Sequence, residues 1–187
     1  MKKTISLFLA LALALSLAAC GGQTAQSPAP TPTAVPESPA AEAHYPVTIT
    51  SYNENGETYT QTFDQCPERV VSISQANTEL LLALGLRDKI IATAHRFSPV
   101  YEPLAEEYNS IPFIAEKGYP AKEVVLDQEP DMIVGWGSLF AEDALGPVSE
   151  WNDRGVGTYL MNNTVSGLGN RTVEFLFDDI ETLGQIF

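Results

Sequence analysis

The chain has 187 residues, with 24 acids against 10 lysines and arginines and a net charge of −14. That balance, with no basic run or stripe, excludes the electrostatic footprint of a nucleic-acid binder. Two cysteines and two histidines make no CxxC or Cys/His cluster for a structural zinc, so no resident metal or cofactor is expected.

Lys2 and Lys3 precede an apolar run from Ile5 to Leu17. The run is shorter than the ~20 residues a spanning helix needs, so residues 1–19 read as a secretory leader. Leu17-Ala18-Ala19-Cys20-Gly21 ends it. Small residues before a cysteine resemble the bacterial lipobox, in which Cys20 is lipidated and becomes the new N-terminus. The alternative is an ordinary leader with a cysteine at its cleavage site. Residues 20–44 follow as a tether with proline at 28, 30, 32, 36 and 39, too polar to offset its ordering entropy. With Cys20 lipidated, Cys66 has no disulfide partner and reads as a small, semi-buried residue.

Residues 45–66 read as a β-hairpin. Val47, Ile49 and Ser51 alternate with Thr48, Thr50 and Tyr52, and Thr58 to Phe63 return. Asn55-Gly56 between them predicts a type I′ turn.

Residues 67–170 alternate strand and helix patterns. Val70 to Ser74 predicts a buried strand. Asn77 to Leu84 predicts a helix with Leu80, Leu81 and Leu84 on one face, stopped by Gly85. Lys89 to Ala94 is a second strand, Pro99 to Tyr108 a polar helix, and Phe113-Ile114 a short third strand. Pro120 to Gln128 is a helix burying Val124 and Val125. Asp131 to Trp136 is a strong strand, Glu142 to Arg154 a helix, and Gly157 to Met161 the last strand. This alternation predicts an α/β fold, a Rossmann-like doubly wound parallel sheet. Ligands in such sheets bind outside the carboxyl ends of the strands. Those ends carry Ser74-Gln75, His95-Arg96, Ala115 to Tyr119, Gly135 to Phe140 and Asn162-Asn163.

Residues 171–187 read as a helix, with Val173, Leu176, Phe177, Ile180, Leu183 and Phe187 at three- and four-residue steps. Asp178, Asp179 and Glu181 on it read as a solvated face rather than an acid/base pair. The pattern runs to the last residue without a stop signal, so the polypeptide reads as truncated or partial.

No catalytic constellation stands out. HExxH, GxSxG and P-loop patterns are absent, and Gly167-Leu168-Gly169 lacks a third glycine. The chain therefore reads as a binding protein and not an enzyme. An α/β enzyme lobe and a lipid-anchored interaction domain without a small ligand are the rivals.

Four segments carry a family resemblance. Glu68 to Ser74, with Thr78 to Leu81 and Ala83 to Leu86, resembles the opening strand and helix of ABC-importer solute-binding proteins for iron chelates (siderophores), haem or cobalamin. Pro120 to Leu126 with Glu129 to Val134 is similar to their helix-turn-strand signature. Trp151 to Tyr159 resembles the segment closing the first lobe, and Thr172 to Phe187 the start of the interlobe helix. The resemblance runs from about Val47 to the end of the chain. It implies a first lobe of a two-lobe periplasmic-binding-protein fold, a ligand cleft between lobes, and delivery to ABC permease subunits. The implied location is the extracytoplasmic membrane face, held by the lipid anchor, as a monomer. The ligand expected is a ferric siderophore, with haem or cobalamin as the alternative.

Arg96, after a strand end, offers a bidentate fork to an anionic chelate group; its other reading is a salt bridge to a surface acid. Trp136 ends the strongest strand and is suited to pack on a ring or macrocycle, or else to fill the lobe's rim. Tyr119 and His95 are further candidates. The resemblance places a permease-docking glutamate at Glu123, where its carboxylate otherwise serves the helix dipole.

Overall fold

The computed structural model describes residues 44–187. The leader, Cys20 and most of the tether lie outside them. The hairpin forms as expected: β1 (Val47–Tyr52) pairs antiparallel with β2 (Thr58–Phe63), Val47 opposite Phe63 and Tyr52 opposite Thr58. Its turn is not type I′. Only Gly56 takes a positive φ, and the loop is organised by Asn53, whose Oδ1 accepts from the N–H groups of Asn55 and Glu57. An Asx-type bond of this kind supplies the turn locally, so Asn55 need not enter the left-handed region.

The main sheet is five-stranded, parallel and ordered β5-β4-β3-β6-β7: β3 (Val70–Ile73), β4 (Ile90–Ala94), β5 (Phe113–Ala115), β6 (Met132–Gly135) and β7 (Gly157–Leu160). The alternation of side chains sorts the strands between two apolar cores. Val70, Met132 and Val134 join Leu81, Tyr108 and Leu183 in one cluster. Val71, Ile73 and Ile133 join Val125, Leu145 and Trp151 in the other. A parallel sheet buried on both faces is the expected doubly wound architecture.

Among the described residues four α-helices connect the strands of the sheet, α1 (Gln75–Ala83), α2 (Ala105–Asn109), α3 (Lys122–Leu126) and α4 (Val148–Asn152), and α5 (Val173–Ile186) follows β7. Most are shorter than their sequence patterns. The stretch from Pro99 contributes only a 3-10 turn at Glu102–Leu104 before α2. The pattern from Glu142 to Arg154 keeps only its end: Gly146, at φ 82, and Pro147 break it, and α4 starts afresh. In α3 Val125 is buried and Val124 half-buried, and Glu129 at φ 49 stops any extension. α1 instead begins two residues early, and Leu82 is buried where Leu80 and Leu84 are half-buried.

α5 is capped by Thr172, Phe175 N–H donating to Thr172 Oγ1 at 3.2 Å. Its faces are not those its spacing suggests. Leu183 and Ile186 are buried, Val173, Leu176 and Phe177 are exposed, and Asp179 is buried to 1 % exposure. The solvated acidic face therefore holds for Asp178 and Glu181 and fails for Asp179.

The hairpin covers the open side of edge strand β7. Thr158 N–H donates to Gln61 Oε1 at 3.1 Å, and Gln61 Nε2 donates back to Thr158 O. Tyr59 OH adds a 2.8 Å bond to Thr158 Oγ1. A side-chain amide thus takes the place of a sixth strand and blunts the edge. At the tip, a Cβ on Gly56 would stand 2.3 Å from Ser166 O, so the close approach itself requires glycine.

Candidate ligand-binding edge

In the order β5-β4-β3-β6-β7, the first strand β3 has the second and fourth as neighbours, and the winding reverses between β3 and β6. The crevice outside the carboxyl ends at that point is where such sheets take ligands. Three of the four residues read as ligand contacts gather near it. The His95 ring lies 5.2 Å from Tyr119 and 5.9 Å from Trp136, centroid to centroid. Phe97 completes the group, 5.7 Å from His95 and 6.2 Å from Trp136. Tyr119 Oη and Ser138 Oγ, 3.2 Å apart, link the loop after β5 to the loop after β6.

His95 owes its direction to its backbone. The chain leaves β4 with His95 at φ 60, in the left-handed region, so its ring does not continue the pleat. The buried Nδ1 has no hydrogen-bond partner. Such strain and an unpaired buried polar atom are what surroundings must over-determine, and they concentrate at binding sites.

Arg96 is placed differently. Its Nη2 meets Glu116 Oε2 at 3.0 Å, and its guanidinium carbon lies 5.0 Å over the Phe113 ring. It stands beside the aromatic group on the same rim, with its charge turned to a surface acid. Exposed pairs of this kind contribute ~1 kcal/mol or less, so Glu116 holds the guanidinium only weakly.

On the other side of Trp136 opens a groove of about 450 Å³ between α1 and α5. Leu80, Met161 and Leu176 supply apolar wall, Asn77 and Arg171 polar groups, and Asp179 part of the lining. Asp179 Oδ1 accepts from Tyr159 OH at 2.9 Å and from Asn162 N–H at 3.0 Å, tying α5 to the end of β7. Burial pushes its pKa up to about 6, against the lowering effect of those two bonds. Burial and the neighbouring carboxylate push Tyr159 far up, so its phenol stays a donor.

Glu123 is exposed in the first turn of α3, four residues after Tyr119, and without a side-chain partner among the described residues. Its neighbour Lys122 pairs with Glu150 and lies 5.9 Å from the Trp151 ring centroid. Cys66 is a free, half-buried thiol. Among the described residues no group of three or more His, Cys, Asp or Glu is placed to hold a metal ion, and no helix is long and apolar enough to cross a membrane.

Phe97 and Asp179 were missed in the sequence, and both left a signal. Phe97 follows the same strand end as His95. Asp179 falls on the step Asp179-Leu183-Ile186, the spacing of a buried face.

No family model and no curated protein matches the chain. Solved structures do. A periplasmic binding protein from Veillonella parvula matches with 32% identity and a TM-score of 0.71, over 78% of this chain and 46% of that one. A protein described as an ABC-type Fe3+-hydroxamate transport system from Saccharomonospora viridis matches with 24% identity and a TM-score of 0.61, over 77% of this chain and 49% of the other. A periplasmic haem-binding protein from Vibrio cholerae aligns more loosely, with 26% identity and a TM-score of 0.46 over 63% and 40%. The chain thus spans about half the length of the structures it matches. The first two are described as a binding protein and a transport system, which agrees with the binding class read from the sequence. With its doubly wound five-stranded sheet, the chain is similar over most of its length to part of a periplasmic binding protein, and its described residues have the fold of one lobe of such a protein.

Proposed function

We propose that this chain supplies a ligand-binding lobe of a lipid-anchored, extracytoplasmic solute-binding protein. It captures an iron chelate of the ferric siderophore class and passes it to ABC permease subunits. The observation that carries the reading is the aromatic group His95, Phe97, Tyr119 and Trp136 at the switch point of the sheet. Flat apolar faces with polar tips suit a rigid chelate or macrocycle, which binds by area and by a few oriented polar contacts. Trp136, Tyr119 and His95 contact the ligand, and Arg96 exchanges Glu116 for an anionic group on it. Glu123 meets cationic residues of the permease, and Cys20 carries the lipid.

A single protein with two aromatic probes tests this. Trp151 is fully buried, whereas Trp136 is half-exposed on the rim, so added ligand quenches chiefly Trp136. Titration with a ferric trihydroxamate, haemin and cyanocobalamin is expected to give saturable quenching with the iron chelate first. No saturable binding of any of the three overturns the reading. Retained lipid labelling in Cys20→Ala removes the anchor from it.

A further inference from the structure

Gln75, the first residue of α1, is buried to 2 % exposure beside an otherwise open rim. Its backbone N–H donates to His95 O at 3.2 Å. Its Oε1 accepts from the N–H groups of Phe97 at 3.2 Å and Ser98 at 3.0 Å. Its Nε2 donates to Pro99 O at 3.2 Å and to Glu79 Oε1 at 2.8 Å. Glu79 Oε1 also accepts from Tyr101 N–H at 3.3 Å. An amide has two acceptor positions and two donor hydrogens, and here all four are used. The partners also fix which end of the amide is oxygen, because one end faces two N–H groups and the other two oxygens.

The segment that Gln75 meets does not hold itself. It leaves β4 through His95 at φ 60, and the facing N-cap Ser74 sits at φ 113. Non-glycine residues keep such conformations only where neighbouring groups impose them. Phe97 is 56 % exposed, so burial does not anchor its ring. Yet the ring stands within the group of His95 and Trp136.

We infer that Gln75 is a positioning residue whose side-chain amide clasps residues 97–99 and so holds Phe97, with His95 and Trp136, as a pre-formed aromatic wall for the ligand. The inference rests on the reading of this rim as the ligand site. Its advantage is entropic. A wall already ordered in the free protein removes the cost of ordering that segment from the binding step. No other side chain makes the same four bonds. Glutamate keeps both acceptors, loses both donors, and sets a second carboxylate against Glu79; once protonated, it regains one donor.

The test uses the full chain and two readouts: hydrogen exchange at the Phe97 and Ser98 amides, and quenching of Trp136 by a ferric trihydroxamate. In Gln75→Met, exchange at those two amides is expected to rise, and chelate affinity to fall, by about tenfold or more, the scale of one lost hydrogen bond. Exchange at Val71 and Ile133 in the sheet stays as in wild type. In Gln75→Glu the same losses are expected at about pH 8 and reverse largely at about pH 4, below the ordinary glutamate value of about 4.3, where the introduced carboxyl regains its proton. Wild type lacks that reversal, and a residue serving stability alone moves neither readout in the folded protein. Phe97→Ala is expected to lose affinity while Ser98 stays protected. Unchanged exchange at Phe97 and Ser98 in Gln75→Met overturns the inference, as does faster exchange with affinity within twofold of wild type. If Gln75→Met does not fold, the pH reversal in Gln75→Glu decides. If wild type binds no chelate, the ligand reading fails, and the exchange data alone decide whether Gln75 holds the segment.

Discussion

Asp179 is the one buried carboxylate among the described residues, and Asp179→Asn isolates its charge. In the unfolded chain an aspartate titrates at about 3.9. In the folded protein burial pushes Asp179 up to about 6. Between those values the folded state keeps a proton that the unfolded state has lost. Stability therefore falls as pH rises from about 4 to about 6 and stays at the lower level above that range. A shift of about two units corresponds to at most about 3 kcal/mol, at about 1.4 kcal/mol per unit. Asparagine does not titrate, and its side-chain oxygen still accepts from Tyr159 OH and Asn162 N–H. The variant is thus expected to match wild type near pH 4 and to exceed its stability by up to about 3 kcal/mol at pH 7.5, roughly 10 °C in Tm. Asp179→Ala also removes the titration but is destabilising near pH 4, where the wild-type carboxyl is protonated. It leaves the Tyr159 hydroxyl and the Asn162 amide buried without an acceptor, at about 1–3 kcal/mol each. Thermal and urea unfolding followed by circular dichroism from pH 4 to 8 measures both. A constant offset between Asp179→Asn and wild type over that range refutes the assignment of the pH dependence to this carboxylate.

Three further outcomes are expected. Gly56→Ala forces a Cβ against Ser166 O and a side chain into φ 80, so urea unfolding should show a loss of about 1–3 kcal/mol; wild-type stability would mean the hairpin tip does not pack there. Trp136→Ala should weaken chelate binding more than Arg96→Ala, because a ring supplies contact area whereas Arg96 must first leave Glu116; equal wild-type affinity in both removes these residues from the site. Glu123→Lys, on an exposed position, should change stability by no more than about 0.5 kcal/mol and spare ligand affinity while lowering ligand-stimulated ATPase of the reconstituted transporter; normal transport by that variant removes Glu123 from the docking surface.

Local pattern was enough for the architecture. The β-branched runs at Val70–Ile73, Ile90–Ala94 and Met132–Gly135, separated by helical spacing, leave a parallel sheet with helices on both faces as the compact solution. The carboxyl ends of those strands follow directly, and with them the loops bearing His95, Tyr119 and Trp136. The exact lengths of α2, α3 and α4 did not follow, because Gly146, Pro147 and Glu129 act over one or two residues inside otherwise helical patterns.

Which groups meet was decided only by tertiary structure. The aromatic group draws on three loops separated by as many as 41 positions in sequence, and the strand order β5-β4-β3-β6-β7 makes them neighbours. Arg96 and His95 are consecutive, yet the left-handed turn at His95 sends one to Glu116 and the other to Trp136. Asp179 reads as polar in any sequence scale, and only the packing of α5 against β1 and the turn after β7 brings it inward to Tyr159 and Asn162. Periodicity states which face of an element is apolar; what that face meets, and which polar group is buried with it, depends on contacts between residues far apart in the chain.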